Sequence, residues 1–294
     1  MAIKRIPWWL RIAAKIVLFR LPVPYSVWQK IGLFRHGETN LPRRAIDTFD
    51  KYYQKAVERG MSTKGFTSLE LGPGDSVLTG FVARAYGAQR VYLLDAGRFA
   101  AADMNGYKTL YRELQKAPIA LSSPESTESL EDLLTANSVT YLTNGIRSLS
   151  EIPAGSVDFF WSQVVLEHIP EAEFFDFFVG LRRVLKDGAI GVHSIDFRDH
   201  LGGGLNNLRF SKKLWEKNWF SRSGFYTNRL RPRQMLELLG LAGFQVEVLS
   251  ELRWDQMPIR RRDLASEFRS LEDSDFLIAE LDILLRPKGP ERDG

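Results

Sequence analysis

Four residues in the first third of the chain have the types and spacing of a ligand cradle. Glu70, Gly72 and Gly74 lie within S-L-E-L-G-P-G-D-S (68–76), and Asp95 follows the apolar run Val91-Tyr92-Leu93-Leu94. A strand that ends in a glycine turn and opens a helix lets backbone pass close to a ligand and aims free N–H groups at it. An acid at the tip of the next strand is placed to accept hydrogen bonds from both hydroxyls of a ribose. A dinucleotide fingerprint would need a third glycine, and Val77 stands there instead. Glu70 beside the turn repels a pyrophosphate and suits a cationic ligand.

Proton transfer calls for a group that titrates near neutral pH, and the chain has four histidines. His168 and His200 follow strands, on the edge where open α/β sheets bind ligands. His193 lies inside a strand, where a buried, hydrogen-bonded role is expected, and His36 precedes the domain. His200 and its neighbour Asp199 are the leading candidates for taking a proton from an acceptor, with His168 third. Asp196, Asp199 and His200 also read as ligands of a hard cation. Their spacing is not specific to a metal site, and no metal is expected.

The elements that must position these groups can be read from the apolar pattern. Ile46, Phe49, Tyr53 and Ala56-Val57 recur at helical steps within 43–59, just before the first strand. Tyr52 or Tyr53 can reach the ligand from that helix. The predicted strands are 66–70, 91–94, 139–142, 156–162, 189–195, 244–249 and 276–285. Helices are predicted over 77–86, 99–114, 130–134, 172–185 and 233–239, the fourth stopping at Lys186-Asp187-Gly188. Strand–helix alternation with a late hairpin predicts an α/β fold: a Rossmann-like, seven-stranded, mostly parallel sheet with one antiparallel strand and helices on both faces.

Composition narrows the function classes. The 294 residues are 44% hydrophobic and 26% charged, ordinary for a domain able to bury a full core. A net charge of +4 is too small to argue for nucleic acid, and the absence of cysteine excludes disulfides, thiolate metal sites and cysteine nucleophiles. No stretch is long and uncharged enough to span a bilayer, and no small-residue cleavage site follows the first apolar segment, so no signal peptide is expected.

Residues 1–42 differ from the rest. Lys4, Arg5, Arg11, Lys15, Arg20, Lys30 and Arg35 all precede the first acid, Glu38, and they alternate with Trp8, Trp9, Ile12, Ile16 and Phe19. Basic charge beside tryptophan is the composition of a segment lying in the headgroup layer of an anionic membrane, and residues 1–20 are the candidate contact. Packing of this segment on the domain is the other reading. The domain is expected over 43–287 and a loose tail over 288–294.

The stretch E-L-G-P-G-D-S with Asp95 resembles motif I and its partner acid in class I S-adenosylmethionine-dependent methyltransferases. Two later runs carry the resemblance on: V-D-F-F-W-S-Q-V-V-L-E-H-I-P (157–170) at the fourth strand, and L-R-R-V-L-K-D-G-A-I-G-V-H (181–193) before and through the fifth. It covers 66–197 in order and at the right spacing, and is closest in type to bacterial glycan and small-molecule methyltransferases. The resemblance implies S-adenosylmethionine as cofactor, with Glu70, Gly72 and Gly74 at its methionine part and Asp95 on the ribose. Asn144 stands where the family commonly has an acid for the adenine amino group. Ser162 and Gln163, in the fourth-strand motif, are further cofactor candidates.

In this family the segment after the fifth strand, here about 197–231, arches over the transfer site and carries substrate recognition. It holds Trp215, Trp219, Phe220, Phe225 and Tyr226, expected to stack on a sugar or flat ring. Arg198, Arg209, Arg229 and Arg231 are expected to hold a phosphate or carboxylate. The implied activity is O-methylation of a glycan or lipid-linked sugar precursor, in the cytoplasm or at the inner face of a membrane. Alternatives are a quinone, polyketide or fatty-acid acceptor, a non-catalytic cofactor-binding scaffold, and a nicotinamide-dependent oxidoreductase, which Val77 disfavours.

Overall fold

Short apolar runs punctuated by glycine gather into one sheet. A computed structural model describes residues 41–101, 104–124, 127, 129–221 and 225–289. The basic aromatic segment and most of the tail lie outside the described residues. The strands are β1 (Phe66–Leu71), β2 (Ala88–Leu94), β3 (Val139–Leu142), β4 (Val157–Gln163), β5 (Leu185–Asp196), β6 (Phe244–Arg253) and β7 (Ile278–Pro287), ordered β3-β2-β1-β4-β5-β7-β6. β7 runs antiparallel to both of its neighbours, and the remaining pairs are parallel. This is the sheet the sequence predicts.

Every residue of β1 is buried, as expected of a central parallel strand covered on both faces. On one face Leu69, Leu71 and Phe160 meet Phe174, Phe178 and Leu181 of α5 (Glu171–Val184) and Met235 and Leu239 of α8 (Pro232–Leu241). On the other, Leu93, Phe159 and Trp161 meet α1 (Pro42–Val57) and α2 (Leu78–Ala85). Pro42 starts α1 and leaves Ala45, Phe49, Tyr52, Tyr53 and Ala56 as one buried face. Each large side chain so buried contributes about 1.5–3 kcal/mol.

Register fixes the functional edge. Leu71 lies opposite Leu94 and opposite Ser162, and Leu94 lies opposite Leu142. Gly72, Asp95, Asn144 and Gln163 therefore emerge side by side where four parallel strands end.

Two predicted details differ. The helix before the fifth strand ends at Val184, within a residue of its predicted end, but the strand starts at Leu185 rather than at 189, because Leu185 already pairs with Val157 and a register shift after it absorbs the next residues. The seventh strand starts at Ile278 rather than at 276, because Asp273–Leu277 forms a short helix in the connection 254–277; it pairs antiparallel with the sixth, the late hairpin the sequence predicts. Among the described residues no helix is long and apolar enough to cross a membrane.

Candidate active site

The glycine turn takes the backbone its composition calls for. Gly72 has φ +67° and Gly74 φ +66°, the left-handed region that side chains disfavour. The Gly72 amide donates to the Leu94 carbonyl at 2.8 Å. A Cβ on Gly72 would stand 2.6 Å from a methyl carbon of Val165, so the turn also passes against the chain leaving β4.

Asp95 ties the turn to the second strand. Its Oδ2 accepts the Gly74 amide at 2.9 Å and its Oδ1 accepts the Ala96 amide at 2.7 Å. Next to it, the Gly145 amide donates to the Asp95 carbonyl at 2.9 Å, which brings exposed Asn144 beside the acid. Gln163 is exposed at the tip of β4.

Glu70 is buried and accepts a 2.5 Å bond from the Thr79 hydroxyl in α2. Burial raises its carboxyl to about 8, with the Asp95 charge adding to the rise. Glu167 sits in a single 3-10 turn, Leu166–His168, after β4, and is 2% exposed. Its Oε1 accepts the Asp196 amide at 3.2 Å, and its Oε2 is buried with no hydrogen-bond partner among the described residues. Burial raises this carboxyl too, to about 8. Both acids therefore hold their protons near neutral pH, and a positive ligand beside them would be favoured together with loss of those protons, because a cation restores what desolvation removes from the charged form.

Tyr52 of α1 stacks on Trp161, with ring centroids 4.9 Å apart, and donates to the Ser194 hydroxyl at 2.8 Å. Burial raises its phenol, and the charges of Asp282, Glu167 and Glu70 act in the same direction. It is fully buried in the core between α1 and the sheet, as is Tyr53 apart from its edge, so neither stands open to a ligand as the sequence suggested.

His168 and His200 meet across the edge, Nε2 to Nε2 at 3.2 Å, and His168 Nδ1 lies 2.9 Å from the Tyr226 carbonyl. A carbonyl can only accept, so His168 Nδ1 carries a proton. In the neutral pair His168 Nε2 then accepts from His200 Nε2, and the basic lone pair resides on His200 Nδ1.

Asp199 is placed differently from the expectation. Its carboxylate is buried and accepts the amides of Leu201 at 2.9 Å, Gly203 at 3.1 Å and Asn206, with the Asn206 side chain at 3.0 Å. It closes the loop after β5 and has no orientation toward an acceptor. Asp196 is taken up by Arg198, whose Nε and Nη2 each lie 2.9 Å from it. No group of three metal-ligating side chains occurs among the described residues.

Ser162 is wholly buried, its hydroxyl 2.8 Å from Nδ1 of His193. Burial lowers His193 to about 3, so its ring is neutral, as its place inside a strand suggests.

The arch also departs from expectation. Trp215, Phe220, Phe225 and Tyr226 are buried with Leu201 in a small core of their own, and Trp219 alone of the five aromatics is exposed. All four arginines have internal partners. Arg231 is buried and donates to the carbonyls of Asp275, Phe197 and Ile278. Arg229 donates to the Phe210 carbonyl at 2.6 Å, with the rings of Trp215 and Phe268 each 5.2 Å away. Arg209 pairs with Asp263 at 3.2 Å, and Arg198 pairs with Asp196.

No protein-family model matches the chain, and no curated protein matches it. Its fold neighbours are methyltransferases. The CurJ carbon methyltransferase is 14% identical with a TM-score of 0.45, covering 83% of this chain, which spans about half of CurJ's own (54%). An S-adenosylmethionine-dependent methyltransferase from Mesorhizobium loti is 17% identical over 81% of this chain and 99% of its own, TM-score 0.41. An arsenic(III) S-adenosylmethionine methyltransferase from Chlamydomonas reinhardtii is 14% identical over 84% and 74%, TM-score 0.46. The likeness is one of fold.

Three residues of the edge escaped the sequence reading. Thr79 is an ordinary early-helix residue until its hydroxyl is seen on Glu70. Val165 carries no chemistry and matters only through its approach to Gly72. Glu167 stood in the L-E-H run, and its signal was an acid inside an otherwise apolar stretch.

Proposed function

We propose that the chain is an S-adenosylmethionine-dependent methyltransferase that O-methylates a glycan or a lipid-linked sugar precursor. The observation that carries the cofactor assignment is the Gly72–Gly74 turn, pinned by Asp95 beside two buried glutamates. That set suits the cofactor: the turn admits backbone contact, Asp95 can take the ribose, and the buried acids favour a sulfonium. Glu70, Gly72 and Gly74 would hold the methionine part, Asn144 and Gln163 the adenosine side. Ser162 would act through the strand rather than by contact, since His193 occupies its hydroxyl.

When bound, the cofactor supplies a methyl group on a sulfonium sulfur. The chain's own part is alignment and proton handling. Tyr52 and Trp161 close the floor against water, Val165 presses on the glycine turn, and His200 is the group that would take a hydroxyl proton. His168, fixed by the Tyr226 carbonyl, orients His200.

The inward-turned arch leaves Trp219 as the one exposed aromatic of the five that could stack on a sugar, and so gives weight to a second acceptor class, a quinone, polyketide or fatty acid. The test is to incubate purified protein with methyl-labelled cofactor and cell extract, then separate lipid, lipid-linked glycan and polysaccharide fractions. Label in a glycan-bearing fraction, lost on Asp95→Ala and on Gly72→Leu, is the expected result. Label confined to glycan-free lipid selects the second class, and normal cofactor binding with no label anywhere selects a non-catalytic scaffold.

A further inference from the structure

The chain leaving β4 carries a backbone feature that the fold does not require. Val164 has φ +57°, the left-handed region in which a β-branched side chain is an outlier. Among the described residues other than glycine, Ser138 and Arg229 alone share a positive φ, and neither is β-branched. Glycine or asparagine would take this turn with little strain. The chain has valine there.

Core packing does not explain the choice. Val165, Leu166 and Ile169, on the same turn, all pack into the core on the α5 face of the sheet. Val164 is half-buried and joins none of the apolar clusters formed by the described residues. Its amide donates to the Ser194 carbonyl at 2.9 Å, a bond that glycine or asparagine would make equally well.

Its place in the sheet does single it out. From β1 the chain builds outward through β2 and β3, then returns to β4 on the other side of β1. The crevice between β1 and β4 is therefore the topological switch point, where open α/β sheets take their ligands. Leu71 lies opposite Ser162, so Gly72 and Val164 both leave their strands at that crevice. One residue on, Val165 closes against Gly72. Four residues on, His168 meets His200 at 3.2 Å. Val164 is thus bracketed along the chain by contacts to the glycine turn and to the histidine pair.

We propose that Val164 is a specificity residue: its isopropyl group forms an apolar wall against the acceptor and selects one with an apolar group beside the oxygen to be methylated. Strain held at a ligand-binding edge, by a side chain the core does not use, marks a residue kept for function. The strain stands on the backbone alone. That the wall meets an acceptor rests on the methyltransferase reading above. The acceptor is assigned rather than the cofactor because the chain from β4 leads to His168, whereas Gly72, Gly74 and Asp95 follow β1 and β2.

The test compares Val164→Gly and Val164→Thr with the unaltered full-length protein. Glycine frees the turn and removes the wall. Threonine keeps the branched shape and puts a hydroxyl where a methyl group stood. Val164→Gly should raise the urea midpoint, since relief of a left-handed β-branched residue exceeds the effect of the chain freedom that glycine adds. Both variants should keep their affinity for S-adenosylhomocysteine. The slope of labelled-methyl transfer against a dilution series of cell extract should fall by roughly 10- to 200-fold in Val164→Gly, the range for a lost apolar contact in a pocket. Val164→Thr should lose transfer as well, without the gain in stability.

A lowered urea midpoint in Val164→Gly would show that the fold itself needs the valine, and overturns the inference. So does a stabilised Val164→Gly that transfers methyl groups as before. Loss of S-adenosylhomocysteine affinity in either variant assigns the wall to the cofactor and overturns it too. An unaltered protein that binds no S-adenosylhomocysteine, or labels nothing in the extract, fails the methyltransferase reading and takes the acceptor assignment with it, while the urea shift still reports the strain.

Discussion

The carboxylate of Asp95 accepts the Gly74 amide at 2.9 Å, so the tip of the second strand holds the glycine turn that follows the first. One side chain thus shapes the cradle and, on the proposed reading, would also meet the ligand. Asp95→Ala should lower S-adenosylhomocysteine affinity by roughly 10- to 100-fold, the range of about 1.5–3 kcal/mol for a hydrogen bond to a charged group. Asp95→Asn, which keeps one carbonyl oxygen, should lose less. Calorimetric titration of both variants checks the order.

Gly72 and Val165 form a second coupled pair. Gly72→Ala places a methyl group against Val165 and forces a side chain into the left-handed region. The backbone strain costs about 1–3 kcal/mol. Adding Val165→Ala should recover the steric part and leave the backbone part. Urea denaturation of the two single variants and the double variant gives the coupling, which should be favourable.

His200 should matter to turnover and not to cofactor binding. His200→Ala is expected to lower kcat by about 10²–10⁴, the usual worth of a positioned base, with S-adenosylhomocysteine affinity unchanged. Asp199→Asn should act differently, lowering the melting temperature, because its carboxylate holds the amides of Leu201, Gly203 and Asn206. Labelled-methyl transfer and thermal melts on the same preparations distinguish the two roles.

Stability should fall as pH rises from about 6.5 to 8. Glu70 and Glu167 keep their protons in the folded chain up to about 8, whereas the unfolded chain releases them near 4.5, so the folded state binds more protons in between. His193, lowered to about 3, has the opposite effect: its contribution is present above 6.5 and is lost as pH falls toward 3. The interval from 6.5 to 8 therefore isolates the glutamates. Glu167→Gln should flatten the urea midpoint across it relative to the unaltered chain, and an unchanged slope would show that Glu167 ionises normally.

Most of the sheet was legible because apolar runs and glycines mark its strands, and Leu71, Leu94, Leu142 and Ser162 align from register alone. The cradle was legible for the same reason: glycine and acid at strand tips have few other uses. The arch was not. Trp215, Trp219 and Phe220 lie in helices of one turn and Phe225 and Tyr226 in irregular chain, too short or too irregular for a periodic pattern to say which side is inside, and all but Trp219 bury one another. Arg229 and Arg231 were expected to hold a phosphate or carboxylate, yet carbonyl groups far along the chain satisfy them. Glu167 shares that difficulty, since its side chain meets the amide of Asp196, 29 residues along the chain.

The most direct test is calorimetric titration of the full-length protein with S-adenosylhomocysteine, with NAD alongside. One-to-one binding of the first, loss of that heat in folded Asp95→Ala, and no heat from NAD are expected. A folded, unaltered protein that takes up no S-adenosylhomocysteine at saturating concentration, or that binds NAD in its place, would contradict the assignment of the glycine turn.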